Sequence, residues 1–286
     1  MAYRIHYSQT RAKYPSSVHP VRTILPQAMI TVGLIVAFID MLALGTSASK
    51  PLDTGVVRTV AAFRFGPMVL LSKIFTFLGS TTMTVLWVAL AALTFWMTKH
   101  KIQAAFIVCS IVGSGIITWI LKHIFNRPRP DINYQVGKVE DPYSFPSGHT
   151  LNSTVFYGTL ALIALYAAIT TAQKILITVL CTVMPLMVGF SRIYLAQHWV
   201  TDVLGGLAVG LAWLGCVALA YAWIAKRQEE KPEADAHIAG RRTPGGRNIN
   251  GQKGTRPHTA RHIHSNLNHS GDSHQPPYIS SGNTNN

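Results

Sequence analysis

The sequence predicts an all-α protein that crosses a membrane several times. Of its 286 residues, 49% are hydrophobic and only 13% are charged. Long apolar runs recur along the chain, and a helix that crosses a bilayer needs about 20 such residues. Short polar and basic segments separate the runs, as in the loops of membrane proteins. These observations predict a polytopic bundle of six transmembrane helices, with an interfacial amphipathic segment and a disordered C-terminal tail.

The first predicted span covers residues 24–45 and follows a basic N-terminal stretch. A cleavable signal peptide is the alternative, but this run is longer than the roughly 7–15 apolar residues of such a peptide. Residues 51–80 hold an apolar stretch that is too short to cross and is interrupted by Lys73, which favours an interfacial amphipathic segment. The other five spans are predicted at residues 82–97, 102–121, 150–170, 175–190 and 199–224.

Six spans place both termini on one side of the membrane and three polar loops on the other. These loops are residues 46–81, 122–149 and 191–198. Their Lys122, Arg129 and Arg192 belong to clusters that suggest chemistry, and the remaining cations favour the side of the termini as cytoplasmic. We therefore expect a multi-pass protein of the cell inner (plasma) membrane with cytoplasmic N- and C-termini.

The formal net charge of +14 raises nucleic-acid binding as an alternative. Much of the excess lies in the tail and in short loops, where membrane proteins commonly carry it, so we expect no nucleic-acid partner. From residue 228 onward the chain is rich in Gly, Asn, Pro, Ser and His, a composition that buries too little apolar surface to fold. The predicted organisation is a membrane domain over residues 1–227 and a disordered cytoplasmic tail over residues 228–286.

Three polar clusters interrupt the apolar runs. They are "KHIFNRPRP" at 122–130, "PSGH" at 146–149 and "SRIYLAQHWVTD" at 191–202. The predicted topology puts all three on the same side, and ionisable groups next to a bilayer are usually functional. We therefore expect one composite site at a membrane surface.

The cations of these clusters suit a phosphoryl group. Arginine forks match phosphate oxygens and lysine adds a point charge, and the candidates are Lys122, Arg129 and Arg192. Ser147 and Gly148 come just before a predicted helix start, where free backbone N–H groups attract anions. Taken singly, each feature has a simpler interpretation: the cations are ordinary loop charges, and Ser147-Gly148 is an ordinary turn.

Two histidines and one aspartate supply reactive groups. His198 and Asp202 are four residues apart, so on a helix they share one face. A neutral imidazole can attack phosphorus when a carboxylate holds its other ring nitrogen, which makes His198 the candidate nucleophile and Asp202 its partner. His149 would then protonate the leaving oxygen and later activate water.

The three clusters match, in order and spacing, a three-part signature: K-x6-R-P (Lys122, Arg129, Pro130), P-S-G-H (Pro146 to His149) and S-R-x5-H-x3-D (Ser191, Arg192, His198, Asp202). This pattern resembles the signature of the type 2 phosphatidic acid phosphatase (PAP2) family, in its bacterial membrane lipid phosphatase branch. The family also includes soluble vanadium haloperoxidases.

The resemblance implies a metal-independent phosphatase without a cofactor, in which His198 becomes phosphorylated, Asp202 supports it and His149 is the acid. It implies that the phosphoryl group is held by Lys122, Arg129, Ser147, Gly148 and Arg192. It also implies a site on the extracytoplasmic face that acts on lipid phosphates or pyrophosphates. Undecaprenyl pyrophosphate, phosphatidylglycerophosphate and phosphatidate are the candidate substrates.

Other functions stay open at this point. A phosphotransferase that passes the phosphate to a lipid acceptor would use the same residues. A non-enzymatic scaffold is disfavoured by the intact motifs, and a peroxidase by the solubility of that branch.

Asp40, near the end of the first span, has three interpretations. It lines a headgroup pocket, it pairs with a cation such as Arg64, or it is a snorkelling terminal residue, which is the interpretation that we favour. The Gly206-x3-Gly210 pair favours close helix packing.

Overall fold

The computed structural model describes residues 19–139, 141–167 and 169–241, with side chains between residues 24 and 224 of these ranges. Regular structure in these ranges is helical, apart from one isolated antiparallel bridge between Pro128 and Tyr143. The helices are α1 (His19–Gly45), α2 (Lys50–Ala62), α3 (Gly66–Leu78), α4 (Thr81–Met97), α5 (Lys101–Phe125), α6 (Gly148–Tyr166), α7 (Thr171–Tyr194) and α8 (Val200–Arg241), with a 3₁₀ turn at Ile132–Tyr134.

Four helical segments in the described ranges are long and apolar enough to cross a membrane. They are Ile24–Gly45, Lys101–Phe125, Thr171–Tyr194 and Val200–Ile224. Helices α3 and α4 meet at a bend of 51° and together pass the same test, which makes five spans if the pair is one broken span. The predicted all-α class with several spans is confirmed, while the count of six stays a prediction.

Helix α6 corresponds to the remaining predicted span, at 150–170, and buries several polar side chains. Its buried side chains include Thr150, Ser153, Thr154 and Thr159. The hydroxyls of Thr154 and Thr159 donate to carbonyls one turn back, at 2.8 and 2.7 Å, which satisfies them inside the helix. Because α6 packs against α4, α5 and α7 rather than facing lipid, it does not need an apolar surface all round.

The outer helices have the opposite character. On α1, Leu34, Phe38 and Ile39 are each more than half exposed. On α4, Val85 and Leu93 are as well. Large apolar side chains on the outside of a helical bundle match the hydrocarbon of a bilayer, in which only helices or closed barrels satisfy all backbone groups.

Small residues bring α8 close to the start of α6. A methyl group added at Gly206 would lie 2.9 Å from the Ser147 carbonyl oxygen, and one at Gly210 would lie 2.9 Å from Thr154 Cβ. The predicted close helix packing at this glycine pair is therefore confirmed. It sets the "PSGH" motif against the first turn of α8, where the Ser147 N–H donates to the Asp202 carbonyl oxygen at 2.9 Å.

The segment predicted as interfacial forms α2 and α3. Helix α3 contacts α7 through Thr76 Oγ1, 2.8 Å from Ser191 Oγ, and the Phe65 N–H donates to the Tyr194 hydroxyl at 3.2 Å. These contacts fix α3 beside the end of α7, and the placement of the segment at a membrane interface stays a prediction.

Helix α8 continues to Arg241, beyond the boundary predicted at residue 227, and the division into a membrane domain and a tail stays a prediction. Residues 228–241 hold three Ala and three Glu, which are good helix formers, and extending an existing helix requires no new nucleation. The rest of the predicted tail lies outside the described residues.

Candidate active site

His198 lies in the tight turn between α7 and α8. Helix α7 ends at Tyr194, and Ala196 takes a positive φ of 51°, which reverses the chain. The N–H groups of Gln197 and His198 then donate to the Arg192 carbonyl oxygen, at 3.0 and 3.3 Å. The His198 ring is only 1% exposed, so a fully buried imidazole is presented at the junction of two helices.

Asp202 holds one nitrogen of this ring. His198 Nδ1 is 3.3 Å from Asp202 Oδ2, which also accepts the Trp199 N–H at 2.9 Å. The predicted contact is present, but α8 begins at Val200, so His198 precedes the helix instead of lying on it. The carboxylate in the first turn of α8 folds back onto the residues before it. With its proton on Nδ1 toward Asp202, the ring keeps a lone pair on Nε2.

The other nitrogen faces cations of the first motif. Arg129 Nη1 is 3.1 Å from His198 Nε2 and donates to the Gln197 carbonyl oxygen at 2.7 Å. Arg129 Nε donates to the Asp141 carbonyl oxygen at 2.6 Å. Lys122 Nζ donates to the Tyr143 carbonyl oxygen at 2.6 Å and is 3.2 Å from Asp141 Oδ2. Backbone carbonyls therefore orient both cations, and the Asp141 carboxylate offsets only part of their charge.

His149 and Arg192 complete the cluster. Arg192 is buried in the last turn of α7, and His149 is the second residue of α6. The His149 imidazole is within electrostatic range of Arg192, His198, Arg129 and Lys122. The structure thus brings both predicted histidines and all three predicted cations to one place, at the ends of α5 and α7 and the starts of α6 and α8.

Ser147 and Gly148 lie at the start of α6. The first bond within the helix runs from Leu151 N to the Ser147 carbonyl oxygen, so the N–H groups of the first turn are directed out of the helix end. A methyl group on Gly148 would lie 3.2 Å from Thr118 Cγ2, which is tight. The Ser147 hydroxyl is fully buried and accepts from Thr150 Oγ1 at 3.0 Å, so its role as a phosphate ligand stays a prediction.

Burial and charge set the protonation state of His198. Loss of solvent lowers the pKa of the His198 imidazole well below its ordinary range, and the nearby Arg192, Arg129 and Lys122 lower it further. Burial alone would raise the pKa of Asp141, but the Tyr143 N–H and Lys122 outweigh burial and lower it. At neutral pH, the site therefore holds a neutral His198 and an ionised Asp141.

Two residues of the site were missed by the sequence analysis. Arg127 Nη1 donates to Asp202 Oδ1 at 2.5 Å, and Arg127 Nη2 donates to Asp53 Oδ2 at 2.6 Å. Arg127 stands between the matched positions of the first motif, and Asp53 stands in the segment interpreted as interfacial. A usable signal was present, because Asp53 is the only acidic residue between positions 46 and 81.

The favoured interpretation of Asp40 as a snorkelling residue was wrong. Asp40 is buried against α8, where a methyl group added at Gly205 would lie 2.7 Å from Asp40 Oδ2. The missing side chain of Gly205 makes room for the carboxyl group inside the bundle. Arg64, the partner considered for it, instead donates to the Tyr134 carbonyl oxygen at 3.0 Å.

Part of the chain is similar in sequence to known proteins. Residues 103–229 match the model of the PAP2 superfamily. The chain is 36% identical over 97 residues to phosphatidylglycerophosphatase B of Bacillus subtilis (strain 168), which covers 34% of this chain and 47% of that protein. It is 27% identical over 151 residues to YbjG of Escherichia coli (strain K12), a protein provisionally named as an undecaprenyl-diphosphatase, covering 51% of this chain and 71% of that protein.

The fold is also similar to a solved structure. A transmembrane PAP2-type phosphatidylglycerolphosphate phosphatase from Bacillus subtilis superposes with a TM-score of 0.60 at 22% identity, over 71% of this chain and 96% of that chain. The curated Bacillus relative, by contrast, is matched over only about half of its length. All three motifs lie within residues 103–229, the part of the chain that matches the PAP2 superfamily.

Proposed function

We propose that the protein is an integral membrane phosphatase that hydrolyses lipid phosphates or pyrophosphates through a phosphohistidine intermediate. The observation that carries the proposal is the environment of His198. Its Nδ1 faces Asp202 at 3.3 Å and its Nε2 faces Arg129 at 3.1 Å. A neutral nucleophile held by a carboxylate on one side, with cations on the other, is what attack on a phosphate ester requires.

In the proposed reaction, the phosphoryl oxygens bind among Lys122, Arg129 and Arg192. Burial and the nearby cations lower the pKa of the His149 imidazole, and the negative charge of a bound phosphate opposes them, so in this mechanism His149 is protonated when substrate is bound. His198 Nε2 attacks phosphorus, and the bond from phosphorus to the leaving oxygen breaks as His149 donates its proton to that oxygen. The positive charge that develops on the His198 ring is balanced by Asp202. His149, now neutral, then takes a proton from water, the water oxygen attacks phosphorus, and the P–N bond breaks to release phosphate and neutral His198.

The location of the site supports a lipid substrate. The reacting groups gather where α5 and α7 end and α6 and α8 begin, which is one end of the helical bundle. A phosphate on a lipid headgroup would meet the protein at that level, while the apolar exterior of α1 and α4 faces the acyl chains. The names of the two curated relatives favour phosphatidylglycerophosphate or undecaprenyl pyrophosphate as the substrate, and phosphatidate shares their chemistry.

The test is phosphate release by the purified protein. The substrates are phosphatidylglycerophosphate, undecaprenyl pyrophosphate, phosphatidate and a soluble aryl phosphate. We expect at least one lipid to be hydrolysed and His198→Ala to be inactive on all of them. His100→Ala is the matched control, because His100 is exposed at the turn between α4 and α5, away from the motifs. No release from any substrate would overturn the proposal, and transfer of phosphate to a lipid acceptor would replace it with a phosphotransferase.

We also propose that catalysis needs no divalent metal. Lys122, Arg129 and Arg192 already supply the positive charge that a metal would supply at a phosphoryl group. EDTA should leave the activity unchanged, and vanadate, which mimics the five-coordinate phosphoryl centre, should inhibit. Loss of activity in EDTA that magnesium restores would contradict this.

The orientation remains a proposal as well, with the site on the extracytoplasmic face of the plasma membrane and the termini in the cytoplasm. Ile132 is 80% exposed in the loop that carries the first motif, and His100 is exposed in the loop between α4 and α5. In a background without native cysteines, an impermeant thiol reagent applied to intact cells should label Ile132→Cys and spare His100→Cys. The reverse pattern would invert the orientation.

A further inference from the structure

A buried ion network continues from Asp202 away from the nucleophile. Asp202 is fully buried and its two oxygens have different partners. Oδ2 accepts the Trp199 N–H at 2.9 Å and faces His198 Nδ1. Oδ1 accepts from Arg127 Nη1 at 2.5 Å and from the Ser144 hydroxyl at 3.4 Å. One oxygen therefore serves the nucleophile, and the other connects it to the rest of the protein.

Asp53 of α2 anchors this network from another helix. It is 1% exposed, and its Oδ2 accepts from Arg127 Nη2 at 2.6 Å. Asp53 Oδ1 accepts the Thr201 N–H at 3.1 Å, and Asp53 Oδ2 accepts the Thr201 hydroxyl at 2.8 Å. Thr201 directly precedes Asp202, so a single carboxylate holds both the guanidinium group and the first turn of α8.

We propose that Asp53 and Arg127 are positioning residues for the nucleophilic His198 and that they act through Asp202. The proposal rests on the proposed function. The rigid guanidinium fork uses two separate nitrogens for the two carboxylates, which fixes the rotation of Asp202 and keeps Oδ2 toward the ring. Both residues lie on the Nδ1 side of the imidazole, opposite Arg129, so neither is a ligand of the phosphoryl group.

The charges of the network also suit the reaction. Two carboxylates and one guanidinium group leave a net negative charge beside a neutral imidazole. Attack on phosphorus makes that imidazole positive, and the adjacent negative charge stabilises it in a site with little water. Without the Arg127 guanidinium group, the Asp202 carboxylate would be buried with no cation next to its Oδ1, which costs stability.

On the acid side of the pH profile, activity should fall as His198 becomes protonated. The position of this acid limb therefore reports on the charges around the ring. The other titratable and charged groups around the His198–Asp202 pair are Asp40 from α1, Lys122 from α5, Arg129 and Asp141 from the α5–α6 loop, His149 from α6 and Arg192 from α7. Removing the positive charge of Arg127 raises the pKa of His198, whereas removing the negative charge of Asp53 lowers it. The two substitutions therefore displace the limb in opposite directions.

The experiment compares Arg127→Gln, Arg127→Lys, Asp53→Asn and the double variant Asp53→Asn/Arg127→Gln in detergent. Each single neutral variant should lose about 10- to 100-fold in kcat, the effect of losing charge-assisted hydrogen bonds, with KM and vanadate inhibition nearly unchanged. Arg127→Lys keeps the charge without the fork, so it should leave the acid limb in place and recover part of kcat. The double variant should lose less than the product of the two single losses, because Asp53 and Arg127 both act on Asp202.

The matched control is Tyr221→Phe. It removes a partly buried hydrogen bond, in which Gln103 Nε2 of α5 donates to the Tyr221 hydroxyl of α8 at 3.3 Å, away from the motifs. Melting temperature and elution volume identify variants that fold. Thr201→Val is a milder variant that removes a hydroxyl contact to both Asp53 and Arg127, at 2.8 Å each.

Unchanged kcat in folded variants, losses that multiply in the double variant, or an acid limb that stays fixed in all of them would overturn the positioning role. These outcomes leave a wild-type phosphatase intact. A wild-type protein that hydrolyses none of the substrates would instead overturn the proposed function together with this inference.

Discussion

The two ring nitrogens of His198 face two differently built regions. On the Nε2 side, Arg129 and Lys122 are held mainly by backbone carbonyls of residues 141, 143 and 197. On the Nδ1 side, Asp202 and Asp53 are held by the guanidinium group of Arg127. The first region, which we call the cation cradle, keeps a net positive charge, because Asp141 offsets only one of its two cations. The second, the carboxylate network, pairs its charges with each other.

The difference shows how one buried imidazole can have a positively charged region at one ring nitrogen and carboxylates at the other. A carbonyl oxygen fixes the direction of a cation without cancelling its charge, so the cradle remains attractive to an anion. A guanidinium group between two carboxylates satisfies both and leaves little demand for solvent. We therefore expect substitutions in the cradle to affect binding and chemistry together, and those in the network to affect chemistry alone.

The largest expected effect separates the two histidines. His198→Ala should abolish turnover of every phosphate ester, because no covalent intermediate can form. His149→Ala should fail on lipid phosphates and still be phosphorylated by an activated aryl phosphate, whose leaving group needs no proton. That variant should release one burst of phenol and then stall. Rapid quench with labelled substrate checks this, and label trapped on His198→Ala protein but not on His149→Ala would reverse the roles.

The next effect tests the cation cradle. Arg129→Ala should lower kcat/KM by about 100- to 1,000-fold, the usual cost of losing one preorganised donor to a transition state, with both kcat and KM changed. Vanadate inhibition should weaken in parallel. Steady-state kinetics on an aryl phosphate measure all three, with Tyr221→Phe as the control. An Arg129→Ala protein that keeps vanadate affinity would place Arg129 outside the cradle.

A smaller effect concerns pH. The neutral form of His198 is the reactive one, and burial together with Arg192, Arg129 and Lys122 places its pKa well below the ordinary value of about 6.5. Activity should therefore stay level as the pH falls through that value and decline only at lower pH. Arg192→Met should raise the pKa of His198 and move the decline upward. A wild-type decline centred near pH 6.5 would show that the ring is not governed by its cationic neighbours.

The smallest effect concerns Asp141, whose carboxylate contacts Lys122 of the cradle. It lies 3.2 Å from Lys122 Nζ, and its side chain is 40% exposed, so the pair contributes at most about 1 kcal/mol. Asp141→Asn should free Lys122 for substrate and lower KM by up to about fivefold, the factor that corresponds to that energy, with kcat unchanged. Substrate titration of both proteins measures it. A rise in KM would mean that Asp141 orients Lys122 instead of competing for it.

The chemistry of the cradle could be predicted because it depends on residue types at short spacings. Lys122 and Arg129 lie in one motif, and His198 and Asp202 lie four residues apart, so local order alone places their functional groups near one another. The apolar runs likewise predicted the helical membrane class, since a bilayer demands them. Where α6 is enclosed by other helices that demand is relaxed, and α6, although predicted as a span, is not among the helices long and apolar enough to cross a membrane.

The carboxylate network was decided by the tertiary structure. Asp53 and Arg127 are 74 positions apart, and nothing in the local sequence of either specifies the other. Asp40 was misjudged for the same reason, because its burial depends on a glycine of α8. An isolated charge near a helix end is stable in water or at a membrane surface. Only the packing of α1 and α2 against α8 removes that solvent and makes a partner from another helix necessary.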